Sequence, residues 1–88
     1  MRRKSIKSWY RKCCKLAENL IGVEDVIFEV NYHCRKSSEC VHLSIFDVRK
    51  DAHVLPIGEF IACYNSEEYN IKKFKEYESV VSYYSNKK

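Results

Sequence analysis

Apolar residues recur at intervals of three and four along the first part of the chain, as they do on one face of an amphipathic helix. They are Ile6, Trp9, Tyr10, Cys13, Leu16, Ala17 and Leu20. At 100° per residue, these side chains cover about 120° of the helix surface. Ser5 precedes the pattern as a favoured N-cap residue, and Gly22 follows it where a helix commonly ends in the left-handed region. The pattern predicts a first helix with one buried face.

Alternation of apolar and polar residues predicts two half-buried strands, Val26–Cys34 and Cys40–Val48. The polar residues 35–38 between them are expected to form a hairpin loop. For the apolar residues of both strands to share one face, Tyr32 must lie opposite Val41. The register of this hairpin is therefore a specific expectation.

A third strand is expected over Val54–Tyr64, where Pro56 and Gly58 indicate an edge strand with a bulge. The segment Asn65–Glu68 then resembles a capping box, which marks the start of a helix. The last helix is expected from about Glu67 to Tyr84, because apolar residues again recur at helical spacing there.

The order of elements is therefore α-β-β-β-α, an α+β fold. Short connections favour a three-stranded antiparallel sheet with two helices packed on one of its faces. A chain of 88 residues is expected to form one small basic domain over 1–88. Residues 1–4 and 85–88 are expected to be frayed.

Positive charge is concentrated at the start of the chain. The sequence has 16 Lys and Arg against 12 Asp and Glu, a net charge of +4. Lys4, Lys7, Arg11 and Lys15 fall on one stripe about 80° wide, opposite the apolar face of the first helix. Such a stripe indicates a surface for an anion: nucleic acid, a membrane surface or an acidic protein. The alternative is a solubilising, partly disordered start of the chain.

The hairpin loop is expected to extend this basic surface. A short turn joins the first helix to the first strand, so the two run antiparallel and the basic half of the helix lies near the loop. Phosphates favour such cationic patches, and Ser37 and Ser38 add donors for phosphate oxygens. Glu67 and Glu68, expected near the same end, weaken the field. The candidate nucleic-acid-binding residues are Arg2, Arg3, Lys4, Lys7, Arg11, Lys15, Arg35 and Lys36.

The cysteines indicate reduced thiols rather than a disulfide framework. Five is an odd number, and the start of the chain lacks the apolar region of a secretory signal, so a reducing, cytoplasmic location is expected. His33, Cys34, Cys40 and His42 are potential zinc ligands, but the expected register turns Cys34 away from the other three. CxxC spacing is also missing, so no metal and no other cofactor is expected.

Catalysis and membrane insertion are both disfavoured. The histidines have no Ser or carboxylate at a recognised catalytic spacing, and two glycines do not suffice for a phosphate-binding loop. The longest apolar runs fall far short of the ~18 residues of a membrane span. A non-enzymatic protein without a membrane partner is expected.

The element order resembles that of the double-stranded-RNA-binding domain, in which both helices lie on one sheet face. The resemblance covers nearly the whole chain as topology. In that family, a lysine cluster opens the second helix, and the loop between strands one and two carries Gly-Pro and a His. Here the corresponding segments are Asn65-Ser66-Glu67-Glu68 and Arg35-Lys36-Ser37-Ser38. The resemblance implies the fold rather than that family's way of reading an RNA groove.

These patterns predict a small domain that binds RNA or another nucleic acid through its phosphates, without base specificity. The chain is rich in Lys, Tyr and Ile and poor in Gly and Pro, and in this it also resembles small accessory proteins of phages. Many of those inhibit a host enzyme by binding it. The alternative is therefore an inhibitor, antidefence protein or antitoxin that binds a host protein such as a nuclease, directly or through its RNA.

Overall fold

A computed structural model describes residues 5–36 and 38–87 of the chain. The fold is α+β, with two helices and a sheet of antiparallel strands. The elements are α1 (Ile6–Ala17, continued by a 3-10 turn, Glu18–Leu20), β1 (Val26–Arg35), β2 (Ser38–Asp47), β3 (Ala52–His53), β4 (Ile61–Ala62) and α2 (Glu67–Ser85). The expected fraying of residues 1–4 lies outside the described residues. At the other end, α2 includes Ser85, one residue beyond its expected limit.

Helix α1 follows the sequence pattern closely. The side chain of Ser5 caps it by accepting a hydrogen bond from the backbone N–H of Ser8, at 3.2 Å. Gly22 has a φ of 87°, which explains why glycine follows the helix. The expected apolar face is buried or packed against the core, and its fully buried members within the helix are Ile6, Trp9, Cys13 and Ala17.

The β1–β2 hairpin has the predicted register. Tyr32 lies opposite Val41, and His33 lies opposite Cys40. Strand β2 is the central strand, with β1 along one side and the short strands β3 and β4 paired at separate places along the other. Within the described residues, the sheet therefore contains four strands.

The continuous third strand expected over Val54–Tyr64 is wrong. The backbone N–H of Val54 still donates to the carbonyl of Ile45, at 3.0 Å, but the chain then leaves β2 and returns only at β4. Pro56 has no N–H to donate to a ladder, so it favours this departure. Leu55, only 6% exposed, instead turns its side chain into the core.

One hydrophobic core joins both helices to one face of the sheet. Val41, Leu43 and Ile45 of β2 are fully buried, and the two helices cover them from the same side. The rings of Trp9 in α1 and Phe74 in α2 lie 5.5 Å apart. We call this side of the sheet the core face and the other the open face, whose β1 and β2 residues are partly or fully exposed.

Helix α2 begins as the capping pattern predicts. The side chain of Ser66 accepts a hydrogen bond from the backbone N–H of Tyr69, at 3.0 Å. Across residues 5–36 and 38–87, neither helix has the length and apolar character needed to cross a membrane.

Candidate nucleic-acid interface

Three cations form a stripe along the outer side of α1. Lys7, Arg11 and Lys15 are exposed and stand four residues apart, so they lie on one side of the helix. Within the described chain, none of the three has an ion pair or a hydrogen bond through its side chain. We call these residues the α1 stripe. The remaining predicted members at this end, Arg2, Arg3 and Lys4, lie outside the described residues.

An aromatic contact connects the α1 stripe to the hairpin. The rings of Tyr10 and Tyr32 lie 5.3 Å apart. Tyr10 directly precedes Arg11, and Tyr32 stands three residues before the end of β1. The basic helix therefore lies beside the hairpin end of the sheet, as its topology predicts. Arg35 and Lys36 are exposed there, and in the described part of the chain neither forms an ion pair.

The structure divides the predicted patch between two sides of the sheet. Tyr32 faces α1, so the alternation along β1 places His33 and Arg35 on the open face. Arg35 thus lies across the sheet from the α1 stripe, and Lys36 occupies the turn between them. The cations form a surface that passes around the end of the hairpin instead of one flat patch.

Acidic groups lie at the same end of the molecule. The carboxylate of Glu39 accepts a hydrogen bond from the hydroxyl of Tyr32, and this bond raises the pKa of Tyr32 above its usual range. Strand β4 pairs with the hairpin end of β2, so Glu67 and Glu68 at the start of α2 lie toward that end, as expected. These carboxylates reduce the positive potential near the hairpin.

Two lysines contribute to packing rather than to a free surface. Lys73, only 2% exposed, donates hydrogen bonds to the carboxylates of Glu59 and Glu76. Burial by itself lowers the pKa of Lys73, but these two hydrogen bonds outweigh it and hold the pKa above its usual value. The ammonium group of Lys12 lies 5.3 Å from the ring centroid of Trp9 in α1 and 5.3 Å from that of Phe74 in α2. Its charge therefore serves a cation–π contact between the helices.

A groove on the open face lies next to the hairpin cations. It has a volume of about 290 Å³ and is lined by His33, Arg35, Ser38, Cys40, Phe60 and Tyr64. The rings of Phe60 and Tyr64 are nearly perpendicular, with centroids 6.5 Å apart. Tyr64 is 65% exposed. We call this feature the hairpin groove.

The ring of His42 supports one wall of the hairpin groove. It meets Phe60 edge-on, with the centroids 6.5 Å apart. Burial lowers the pKa of His42, although a hydrogen bond to the carbonyl of Pro56 partly opposes the shift. The imidazole is consequently neutral near neutral pH and behaves as a packing group.

The possible metal ligands of the hairpin are divided as the register predicts. His33 and Cys40 pair on the open face, whereas Cys34 lies opposite Glu39 and belongs to the core-face set. In the stretches 5–36 and 38–87, no group of three or more His, Cys, Asp or Glu side chains is arranged to hold a metal ion. All five cysteines are free thiols, and burial raises the pKa of Cys13 to about 12.

The interpretation of this surface rests on its own geometry. No family model, no curated protein and no solved structure matches the chain. The described residues place an aromatic groove beside the unpaired Arg35 and Lys36 of the hairpin, and the unpaired α1 stripe on the other side of the sheet.

Proposed function

We propose that this protein binds RNA by contacting its phosphates with the α1 stripe and with Arg35 and Lys36. The observation that carries the proposal is the lack of any intramolecular ion pair at these five cations, among the residues the structure describes. By contrast, Arg49 pairs with Asp25 at 2.7 Å, and Lys73 is held by two carboxylates. The unpaired cations are available to an external anion.

Phosphate binding by these cations should make the affinity for RNA depend on salt concentration. Each neutralised phosphate releases condensed counterions, so affinity falls as the salt concentration rises. Contacts of this kind position the protein on the backbone and carry no base information. The proposed binding is therefore strong at low salt and similar for RNAs of unrelated sequence.

The negative charge at the start of α2 favours α1 and the hairpin over α2 as the binding surface. The sequence pattern resembles the element order of the double-stranded-RNA-binding domain, in which the second helix opens with lysines. In this chain α2 opens with Glu67 and Glu68, which repel phosphates. We therefore assign the phosphate contacts to α1 and the hairpin.

A salt titration tests the proposal. The dissociation constants for several unrelated single-stranded RNAs are measured between about 50 and 200 mM salt. Three to five contacts predict a slope of about −2 to −3.5 for log affinity against log salt, at about −0.7 for each contact. Nucleic acid should also co-purify with the protein at low salt and be removed at high salt.

The same experiment identifies the alternative partner. A protein that elutes free of nucleic acid at low salt and shows no salt-dependent RNA affinity contradicts the proposal. An acidic host protein would then be the better candidate for the basic surface, as expected of an inhibitor of the phage type. Capture from lysate that is repeated after nuclease treatment separates direct protein binding from binding through RNA.

A further inference from the structure

The geometry points to a second contact with the same ligand: we infer that the hairpin groove holds an unstacked base of single-stranded RNA. This inference rests on the proposed function and adds a preference for single strands to it. A base in the groove lies next to the cations that hold the neighbouring phosphates. The protein would then bind single-stranded RNA more tightly than duplex RNA.

The composition of the hairpin groove fits a nucleotide. Tyr64 presents an exposed ring, and every base has a planar face that stacks on such rings. The guanidinium of Arg35 adds a planar cation that also stacks on bases and binds phosphates. The hydroxyl of Ser38 supplies a donor and acceptor for polar edges. A purely apolar ligand would leave Arg35 without an anionic partner.

The size of the hairpin groove fits one base. Pockets for drug-sized ligands measure about 300–1,000 Å³, so a groove of about 290 Å³ lies just below that range and suits a smaller group such as a single base. Phe60 is fixed by its edge contact with His42, so this wall is already in place before binding. A preformed wall lowers the ordering cost of the complex.

The position of the hairpin groove links it to the phosphate contacts. Arg35 lines the groove and also belongs to the cations at the end of the hairpin. Lys36 follows it in the turn, and the contact between Tyr10 and Tyr32 joins this end to α1. An RNA strand that leaves the groove at this end therefore meets Lys36 next, and the α1 stripe lies beyond it on the other side of the sheet. Duplex RNA keeps its bases stacked inside the helix and cannot place one in the groove.

Substitution of the exposed ring tests the inference. Tyr64→Ala should weaken the binding of a single-stranded oligouridine roughly 5- to 150-fold, the loss expected when one stacked base loses its platform. Tyr64→Phe should retain most of the affinity, because it keeps the ring. Tyr83→Ala is the matched control, since Tyr83 is also exposed and its ring contacts Tyr84 and Lys87 at the end of α2.

Two readouts separate this inference from the proposed function. Tyr64→Ala should leave the salt slope and the affinity for duplex RNA unchanged, because the phosphate contacts remain. Single-strand affinity equal to that of Tyr83→Ala, or an equal loss for duplex and single strands, overturns the groove assignment while the salt slope still supports phosphate binding. Wild-type protein with no salt-dependent RNA affinity overturns both proposals.

Discussion

Asp47 shows how a single buried carboxylate joins the end of β2 to the end of α2. It lies at the end of β2 and is 6% exposed. The hydroxyl of Tyr84 donates a hydrogen bond to it at 2.6 Å, and the backbone N–H groups of Arg49 and Lys50 donate at 3.0 and 3.2 Å. The bond from Tyr84 is the main reason that the pKa of Asp47 lies below its usual value. The carboxylate thereby holds the end of α2 against the sheet.

This arrangement predicts a pH dependence of stability. A carboxyl whose pKa is lower in the folded than in the unfolded chain stabilises the fold at neutral pH, and this contribution is lost as the pH falls through the folded-state pKa. Tyr84→Phe should therefore lower the free energy of unfolding at neutral pH and reduce its fall on acidification. Urea denaturation at neutral and acid pH measures both effects.

Tyr83→Phe is the control for this prediction, because the hydroxyl of Tyr83 is not bonded to Asp47 in the described residues. It should keep the wild-type pH dependence. An acid-induced loss of stability in Tyr84→Phe as large as that of the wild type contradicts the assigned role of the hydrogen bond.

At the scale of the element, the start of α2 depends on one capping hydroxyl. Ser66→Ala removes the acceptor for the N–H of Tyr69 and should lower the free energy of unfolding by about 1 kcal/mol. Ser82→Ala, at an exposed position inside the same helix, should be neutral or slightly stabilising, because alanine has the higher helix propensity. Equal effects of the two substitutions in denaturant melts would argue against the cap.

The elements that the sequence predicts well are those with a regular period. The spacing of Ile6, Trp9 and Cys13 repeats over several turns, so α1 and its buried face follow from it. Alternation along β1 and β2 fixes their register, because a shift by one residue would expose every apolar side chain of the core face. Local periodicity is enough for both elements.

The segment that forms β3, β4 and the loop between them lacks such a regular period. Apolar residues between β3 and β4 do not alternate strictly, and Pro56 indicates a bulge without giving its length. The path of this loop also decides the surroundings of Lys73. Glu59, fourteen positions away, reaches Lys73 only through the folded loop. The burial of Lys73 therefore depends on tertiary structure, and the sequence of α2 alone does not predict it.

The candidate site also has one part that the sequence predicts and one part that it does not. The α1 stripe follows from helical spacing, so sequence alone identifies Lys7, Arg11 and Lys15. The hairpin groove does not, because Phe60 and Tyr64 come next to His33 only when the loop returns the chain to β2. Sequence alone therefore leaves the neighbours of Tyr64 undetermined.

Over the whole molecule, the two helices differ in their acidic residues. The first turn of α2 carries Glu67 and Glu68, whereas α1 has no acidic residue within its α-helical turns. Lys72 and Lys75 on α2 are exposed but stand near Glu68, Glu76 and Glu78, which offset them. The two helices therefore differ in the net charge that they present to a polyanion, although both display exposed lysines.

This difference supplies the most direct test of phosphate binding by α1. Lys7→Glu combined with Arg11→Glu should remove two contacts, weaken RNA binding and flatten the slope of log affinity against log salt by about 1.4 for single strands. Lys72→Glu combined with Lys75→Glu changes the net charge by the same amount and should alter the slope much less. Circular dichroism should be unchanged in both variants, because all four side chains are exposed. An unchanged RNA affinity and salt slope in the α1 variant, or equal losses in the two variants, would contradict phosphate binding by the α1 stripe.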